Sequence, residues 1–285
     1  MEIYVKRERY RGPIQGAVLD WAGTAVDFGC LAPLAVFVEV FQQNDVEITI
    51  AEAREPMGLQ KRDHIAALCA HPEINARWSD RHGRPPDDTD IDAMYARTEP
   101  MMIAAAGRHA DLIPGLLEFQ SFAREHNMSI GSCTGYTRKI MEPLIERARQ
   151  QGYIPDSIVT PDEVPAGRPY PYMCYANAIR MQRYPFEAML KIGDTVADVE
   201  EGLNAGMWTI AVTDTGNEMG LSRHDFEQLD PSEQKRRRVA VAQKLLAAGA
   251  HYVVDSIADC IALVSEIEVR LKTGDLPAQS INGTQ

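Results

Sequence analysis

Gly16-Ala17-Val18-Leu19-Asp20-Trp21-Ala22-Gly23-Thr24 is the stretch that decides the fold of this 285-residue chain. An apolar run ends in the carboxylate of Asp20, and a small turn containing Gly23 follows at once. Short apolar runs bounded by turn residues are typical of strands buried on both faces, so the pattern predicts a strand over residues 14–19. Because open α/β sheets bind ligands beyond the carboxyl ends of their strands, we expect Asp20 at a ligand-binding edge.

Downstream of residue 107 the chain alternates between predicted strands and predicted helices. Strands are expected at residues 129–132, 157–160, 190–192, 209–212 and 251–254, and helices at 116–125, 138–151, 171–181, 197–205 and 232–247. This alternation predicts a Rossmann-like α/β core, in which a mainly parallel sheet carries helices on both faces. The strand before Asp20 is expected in the same sheet.

The intervening residues have a different, helical character. The apolar stripe from Leu34 to Phe41 has helical spacing, and Thr49 with Glu52 forms a capping-box pattern. Further helices are expected at about residues 59–69 and 90–106, with a polar, turn-rich segment at 78–86. We therefore predict an inserted α-helical cap domain, residues 29–106, on an α/β core made of residues 1–28 and 107–285.

The composition is that of an ordinary globular protein, with 45% hydrophobic and 25% charged residues and a net charge of -12. The acidic balance argues against nucleic acid as a partner, and the basic run at residues 235–238 is expected to be a solvated helix face. No apolar run reaches the roughly 18 residues that span a bilayer, and residues 1–9 lack the apolar segment of a signal peptide. Five scattered cysteines favour reduced thiols in a cytoplasmic protein.

Four motifs fall at the ends of predicted strands, and each is weak alone. They are Asp20, the hydroxyl-bearing Ser132-Cys133-Thr134-Gly135, the cation Arg168, and the acidic Gly193-Asp194-Thr195-Val196-Ala197-Asp198. In this order they resemble the haloacid dehalogenase-like superfamily. Mg²⁺ prefers carboxylates and other oxygen ligands, so Asp20, Asp194 and the carbonyl oxygen of Ala22 would suit it. Asp198 is either a further ligand or a residue that caps a helix N-terminus.

Most phosphatases of that superfamily carry a second aspartate two residues after the first, and this chain has Ala22 there. Four stretches resemble the phosphonoacetaldehyde hydrolase family, from about residue 14 to about residue 270. They are Phe28-Gly29-Cys30, Pro56-Met57-Gly58-Leu59-Gln60-Lys61-Arg62-Asp63-His64, Thr134-Gly135-Tyr136-Thr137-Arg138 and Pro165-Ala166-Gly167-Arg168-Pro169-Tyr170-Pro171. The resemblance implies cleavage of a small phosphonate, phosphonoacetaldehyde, with Asp20 as nucleophile, Lys61 as Schiff-base lysine and Mg²⁺ as cofactor.

This chemistry would explain Ala22. Cleavage of a carbon–phosphorus bond leaves a carbanion, which an acid on oxygen does not help, whereas a protonated imine on Lys61 accepts the electrons and makes an enamine the leaving group. Lys61 must be neutral to form the imine. Lowering its pKa from about 10.4 to about 7.5 costs roughly 4 kcal/mol, which burial under the cap with Arg168 and Mg²⁺ nearby could supply.

The remaining site residues have two interpretations each. His64 shares a helix face with Lys61 and is a proton carrier for the imine chemistry, or else a capping or surface histidine. Cys30 and Met57 are expected to line the pocket rather than react, and Tyr136 either orients the aldehyde or a water, or only packs. Thr134 and Gly135 are expected at the phosphoryl oxygens, and Arg168 is expected to pair with Asp20 and the phosphoryl group.

Three other functions are considered. A phosphomonoesterase is disfavoured by Ala22, a hydrolytic dehalogenase by the acidic motif at Asp194, and a non-catalytic binding module by the retention of all the reactive residues. The resemblance implies a homodimer formed through the cap. The stripe from Leu34 to Phe41 is a candidate for that contact, with packing between the cap and the core as the alternative.

Overall fold

A six-stranded parallel sheet forms the centre of the structure, a computed structural model that describes residues 9–277. The strands are β1 (Gly16–Leu19), β2 (Ser129–Cys133), β3 (Ser157–Val159), β4 (Met189–Gly193), β5 (Trp208–Val212) and β6 (Tyr252–Val254). Their order across the sheet is β3-β2-β1-β4-β5-β6, and every neighbouring pair is parallel. The six predicted strands are confirmed, with bounds that differ by at most two residues.

Helices cover both faces of the sheet and fill the segment between β1 and β2. Those before β2 are α1 (Ala32–Gln42), α2 (Ile50–Arg54), α3 (Lys61–Ala70), α4 (Pro72–His82), α5 (Asp88–Arg108) and α6 (Leu116–Glu125). Those after β2 are α7 (Arg138–Gln150), α8 (Tyr172–Met181), α9 (Val196–Ala205), α10 (Arg223–Gln228), α11 (Pro231–Ala247) and α12 (Cys260–Thr273). The α/β architecture predicted from the sequence is therefore the one observed. Within residues 9–277, no helix is long and apolar enough to cross a membrane.

Because β1 lies in the middle of the sheet, Asp20, which follows it, lies at the centre of the edge formed by the carboxyl ends of the strands. Leu19 lies opposite Ser132 of β2 and Ile192 of β4, so the three chains leave the sheet at the same level. The strand order turns at β1, because successive strands are added on one side up to β3 and on the other side from β4. Ligands bind at such a switch point, beyond the carboxyl ends of the strands.

The helical segment between β1 and β2 departs from the predictions at one place. The capping box is confirmed: Thr49 Oγ1 accepts from Glu52 N at 3.1 Å, and the Glu52 carboxylate accepts from Thr49 N at 2.7 Å. The predicted polar turn at residues 78–86 is wrong in its first half, because α4 continues to His82. Pro72 begins that helix, Gly83 ends it in the left-handed region, and Ile74 and Trp78 bury one face.

The apolar stripe of α1 forms the interior of the helical segment. Leu34, Phe37 and Phe41 are buried within the protomer. The Phe37 ring stacks on His64 with ring centroids 3.8 Å apart, and Phe41 meets the Trp78 ring edge-on at 6.5 Å. Packing within the helical segment therefore buries Phe37 and Phe41, and the stripe is not available as a surface for a second subunit.

Two helices of the core were not predicted from the sequence. The short α10 begins at the capping residue Ser222, and α12 buries Cys260, Val264, Ile267 and Leu271 along one face. The buried residues of α12 recur at helical spacing, so a search for apolar stripes that continued to residue 271 would have predicted this helix. Gly274 ends α12 in the left-handed region.

Candidate active site

A small pocket lies where the helical segment covers the carboxyl ends of β1, β2 and β4. Its walls are Asp20, Ala22, Cys30, Pro33, Met57, Gly58, Lys61, Thr134, Gly135, Tyr136, Arg168 and Thr195. Nine of the eleven predicted site residues are thus brought together, and the other two, His64 and Asp194, lie just behind the walls. The cavity volume is about 20 Å³, room for about one water molecule.

Buried charges dominate the floor of the pocket. Arg168 Nη2 contacts Asp20 Oδ1 at 2.5 Å and Asp198 Oδ1 at 3.0 Å, and Arg168 Nε contacts Glu201 Oε2 at 2.9 Å. Lys191 Nζ reaches Asp198 Oδ1 at 2.5 Å and Glu201 Oε2 at 3.4 Å. These contacts fix the guanidinium so that one edge faces the Asp20 carboxylate. The expected pairing of Arg168 with Asp20 is present.

The charges on this floor do not balance. Four buried carboxylates (Asp20, Asp194, Asp198 and Glu201) share the site with three buried cations (Arg168, Lys191 and Lys61), which leaves negative charge in excess. Burial raises the pKa of Asp20, although Arg168 opposes it. Burial, and then the charge of Asp20, raises the pKa of Asp194 well above its usual value. Unpaired buried carboxylates are costly, so the site favours a divalent cation.

The donor atoms suit such an ion. One carboxylate oxygen each from Asp20, Asp194 and Asp198 lies within 4.8 Å of the others. Asp198 is already engaged: it forms a capping box with Thr195 at the start of α9, and although burial alone would raise its pKa, Arg168 and Lys191 lower it to about 2. The capping interpretation of Asp198 is therefore confirmed. All three carboxylates offer hard oxygen ligands of the kind that Mg²⁺ takes.

Asp194 is held in place by neighbours from three segments. Its Oδ1 accepts from Thr24 Oγ1 at 3.0 Å, and its Oδ2 accepts from Asn217 N at 2.8 Å. The Cys30 thiol lies 3.4 Å from Oδ2 and donates to the carbonyl oxygen of Ala22 at 2.9 Å. The Cys30 thiol therefore contacts both the Ala22 carbonyl oxygen and the Asp194 carboxylate, so these two oxygens lie close together.

Lys61 is the first residue of α3 and is almost completely buried, with 4% of its surface exposed. Its Nζ lies 4.7 Å from the ring centroid of Tyr136 and 5.5 Å from that of Phe37. Burial lowers its pKa to about 8, with Cys30 and Asp20 acting in the opposite direction and Arg168 in the same direction as burial. The lysine therefore lies in a setting that favours a neutral amine.

The loop that carries Lys61 into the pocket is docked against the core. Gly58 has a φ of +95°, and a Cβ there would lie 2.5 Å from Thr195 Oγ1. A Cβ on Gly135 would lie 2.5 Å from the Leu59 carbonyl oxygen. Gly58 is favoured by its positive φ and by the nearby Thr195 hydroxyl, and Gly135 by the nearby Leu59 backbone.

Tyr136 and Thr134 face the pocket from the loop after β2. Among the described residues, no group hydrogen-bonds the buried Tyr136 hydroxyl, so it can bind a polar atom of a ligand. Thr134 Oγ1 accepts from Tyr136 N at 3.1 Å. Burial, and then the charge of Asp194, raises the pKa of Cys30 well above its usual value, which keeps that thiol protonated. Met57 lies in the wall beside it.

His64 is neither a capping nor a surface residue. It is fully buried on α3, whose capping position is Gln60. Its Nε2 lies 3.0 Å from the Ala53 carbonyl oxygen, and its Nδ1 has no hydrogen-bond partner among residues 9–277. Since a carbonyl only accepts, Nε2 carries the proton and Nδ1 is free to accept one. Burial, and then the charge of Lys61, lowers its pKa well below 6.5.

Sequence reasoning missed two of the buried charges. Glu201 and Lys191 hold Arg168 and Asp198 from below, yet neither belongs to a recognised motif. A signal was present for Lys191, because a lone cation in the apolar run Met189-Leu190-Lys191-Ile192 is unusual in a buried strand. Glu201 lies on the buried face of α9 and needed the three-dimensional arrangement to be recognised.

Comparison with known proteins agrees with this geometry. A family model described as haloacid dehalogenase-like hydrolase matches residues 14–206. A phosphonoacetaldehyde hydrolase of Nitratidesulfovibrio vulgaris is 50% identical over 277 residues, 97% of this chain and 99% of the relative. The chain belongs to the phosphonoacetaldehyde hydrolase family. A phosphonoacetaldehyde hydrolase of Bacillus cereus is 46% identical over 255 residues, covering 90% of this chain and 97% of the relative.

A solved structure shows the same fold within the phosphonoacetaldehyde hydrolase family. The crystal structure of a phosphonoacetaldehyde hydrolase-like protein from Oleispira antarctica matches with a TM-score of 0.94 at 37% sequence identity. The match covers 97% of this chain and all of the other. The α/β core and its helical insert are therefore shared along the length of both chains.

Proposed function

We propose that this chain hydrolyses the carbon–phosphorus bond of phosphonoacetaldehyde to acetaldehyde and phosphate. The observation that carries the proposal is the meeting of a buried lysine, Lys61, with the Asp20–Arg168 pair in one pocket. Ala22 stands where a phosphatase of the superfamily would carry its acid. The relatives that cover almost the whole chain bear the name of this activity.

Imine formation begins the reaction. Neutral Lys61 Nζ attacks the aldehyde carbon, water leaves, and a protonated imine forms between lysine and substrate. The lowered pKa of Lys61 supports this step, because about one molecule in ten is neutral at pH 7 when the pKa is about 8. The free hydroxyl of Tyr136 is available to orient the aldehyde oxygen or the water.

Phosphoryl transfer follows. Asp20 attacks phosphorus, and the electrons of the carbon–phosphorus bond move into the imine to give an enamine on Lys61 and an aspartyl phosphate on Asp20. Protonation of the enamine carbon and attack by water release acetaldehyde, and a second water hydrolyses the aspartyl phosphate. One water is released and two are consumed, so the net reaction consumes one.

Charge placement stabilises the transferred group. Arg168 faces Asp20 and would face the phosphoryl oxygens, with Thr134 and the backbone of Gly135 on the opposite wall. Asp20, Asp194 and the carbonyl oxygen of Ala22 would hold Mg²⁺, supported by the excess of buried carboxylates over buried cations around the pocket. When bound, the ion would neutralise phosphoryl charge.

His64 is the proposed proton carrier for the imine chemistry. Its Nδ1 is unpartnered among the described residues, and its Nε2 donates to the Ala53 carbonyl oxygen. This tautomer leaves Nδ1 as an acceptor one helical turn from Lys61. Cys30 and Met57 would line the substrate space without reacting, which the raised pKa of the Cys30 thiol supports.

Residues 29–106 would act as a cap domain that opens and closes on the core of residues 1–28 and 107–285. The support is steric: the pocket holds about one water molecule, so phosphonoacetaldehyde cannot enter without movement of the walls. The cap contributes Lys61 and the core contributes Asp20. Only the closed arrangement therefore completes the site.

Two further properties belong to the proposal. A homodimer through the cap would have to use surfaces other than the buried stripe of α1, and sedimentation velocity of the purified protein tests it. A cytoplasmic location is supported by the five cysteines, all of which are buried free thiols.

The decisive experiment measures phosphate and acetaldehyde released from phosphonoacetaldehyde, after chelation and after adding back Mg²⁺. Borohydride added during turnover should fix a substrate adduct on Lys61, located by peptide mass spectrometry. Asp20→Asn should still give the adduct but release no phosphate. Lys61→Arg, which keeps the positive charge, should give neither.

A different pattern would reject the proposal. Efficient release of phosphate from an ordinary phosphate monoester, with no adduct on Lys61, would identify a phosphomonoesterase instead. Turnover that survives complete chelation would remove the metal from the mechanism.

A further inference from the structure

Arg54, at the end of α2, connects the cap to the core at a distance from the pocket. Its Nη1 donates to the Gly29 carbonyl oxygen at 2.9 Å and to Asn217 Oδ1 at 3.2 Å, and its Nη2 donates to the Gly220 carbonyl oxygen at 2.8 Å. Asn217 Nδ2 donates back to the Arg54 carbonyl oxygen at 3.3 Å. One guanidinium therefore joins the cap, the connection at Gly29 and the loop after β5.

The loop that Arg54 holds also holds Asp194. Asn217 is almost fully buried, and its backbone N–H donates to Asp194 Oδ2 at 2.8 Å. A Cβ on Gly216 would lie 2.6 Å from Asp194 Cβ, so the loop backbone packs directly against this side chain. A contact made by the cap is thereby two hydrogen bonds away from a proposed metal ligand.

The same region is tightly packed along its length. Gly29 N donates to the Thr215 carbonyl oxygen at 2.7 Å, and Thr215 Oγ1 donates to the Gly23 carbonyl oxygen at 2.5 Å. A Cβ on Gly220, which has a φ of +66°, would lie 2.9 Å from Arg54 Cζ. The backbone is thus shaped to admit the guanidinium at this place.

Arg54 lies seven positions before Lys61, in the segment that enters the pocket. That segment is docked to the core at two places, through Arg54 at one end and through the close approach of Gly58 to Thr195 near the other. Removing the first contact frees the segment that places Lys61 and, at the same time, loosens the loop beneath Asp194.

We propose that Arg54 is a positioning residue, a latch that couples closure of the cap over Lys61 to the orientation of Asp194 through Asn217. The proposal rests on the proposed function for the roles of Lys61 and Asp194. Coupling of this kind is reciprocal: a cation bound at Asp194 stabilises the closed cap, and the closed cap tightens binding of the cation. Arg54 itself touches neither substrate nor metal.

The test compares wild type with Arg54→Gln, Arg54→Lys and the control Arg84→Gln. Arg84 is a cap arginine whose side chain, among the described residues, bonds only Asp90, Asp87 and the Pro85 carbonyl oxygen. Hydrogen–deuterium exchange of residues 213–221 is measured without metal or substrate, and the dissociation constant of Mg²⁺ alone is measured by calorimetry. Steady-state turnover is a third readout.

Arg54→Gln should speed exchange at Asn217 by about tenfold or more, since hydrogen bonds to a charged group each stabilise by at least that factor. It should weaken Mg²⁺ binding by at least about fivefold, the lower end of typical coupling between sites. Arg54→Lys, which keeps the charge but not the forked geometry, should fall between, and Arg84→Gln should match wild type.

The proposal is overturned if Arg54→Gln exchanges and binds Mg²⁺ like Arg84→Gln, even if its turnover is lower. It is also overturned if wild type binds no Mg²⁺. Should Arg54→Gln not fold, the Arg54→Lys variant decides by the same two measurements. Failure of the proposed function is distinguishable, because the wild type would then release no phosphate and form no adduct on Lys61. The exchange and Mg²⁺-binding measurements would still test the coupling through Arg54.

Discussion

The pH dependence of Lys61 reactivity is the sharpest prediction of the structure. Burial lowers the pKa of Lys61 from 10.5 to about 8. At pH 7 this leaves about one lysine in ten neutral, against about one in 3,000 for the unburied value, an advantage of about 300-fold or about 3 kcal/mol. Reactivity toward an aldehyde should therefore rise about tenfold per pH unit below pH 8 and level off above it.

Reductive methylation with formaldehyde and cyanoborohydride, followed by peptide mass spectrometry, measures this directly. Lys139 provides the internal control, because its ion pair with Glu99 at 2.6 Å raises its pKa. Its labelling should continue to increase beyond pH 10. Added Mg²⁺ should move the Lys61 midpoint lower still, since a nearby positive charge disfavours the ammonium form.

Two results would refute the reasoning. If Lys61 is labelled in parallel with Lys139, its amine is not electrostatically different from a surface lysine. If its midpoint falls near pH 8 but Lys61 forms no adduct with phosphonoacetaldehyde, the pKa is lowered for a reason unrelated to imine chemistry.

Three other predictions concern the same site. Lys61→Met should raise the melting temperature at pH 7 by roughly 6 °C, because it removes the cost of about 3 kcal/mol of burying a charged amine. The gain should shrink as pH rises from 8 to 10.5, because Lys61 loses its proton in the folded wild type before it does in the unfolded chain. An unchanged gain at pH 10 would contradict this. Gly58→Ala should lower kcat/KM at least about tenfold by forcing the cap loop away from Thr195 Oγ1, which a Cβ would approach to 2.5 Å; unaltered kinetics would show that the loop adjusts freely. Asp198→Asn should cost about 3–5 kcal/mol of unfolding free energy in urea, because it removes the carboxylate 2.5 Å from Lys191 Nζ, and a loss below 1 kcal/mol would argue against an essential pair.

Local sequence pattern was sufficient to predict where the strands lie and which residues of the core line the pocket. Most of the strands are short apolar runs between turns, and parallel pairing brings the carboxyl ends of the strands together whatever helices connect them. This is why Asp20, Thr134 and Asp194 could be placed at one edge before any coordinates were considered. The position of Lys61 opposite them came from a resemblance of motifs and not from periodicity.

Contacts between distant segments could not be predicted in this way. Arg54 and Asn217 are 163 residues apart, and nothing in either segment specifies the other. The helix α4 was missed for a different reason: its sequence is mostly polar, and its buried face consists of Ile74 and Trp78 alone. Tertiary packing of two large side chains outweighed weak local preference there.

The pocket poses an electrostatic problem that Arg168 solves for both reacting groups. The proposed reaction needs a neutral amine on Lys61 and an ionised carboxylate on Asp20, yet burial favours the first and disfavours the second. The positive charge of Arg168 lowers the pKa of Lys61 and also that of Asp20. It therefore pushes both groups toward their reactive forms. Glu201 and Asp198 hold the guanidinium at this position, which explains why a buried floor of carboxylates underlies a site that binds an anion.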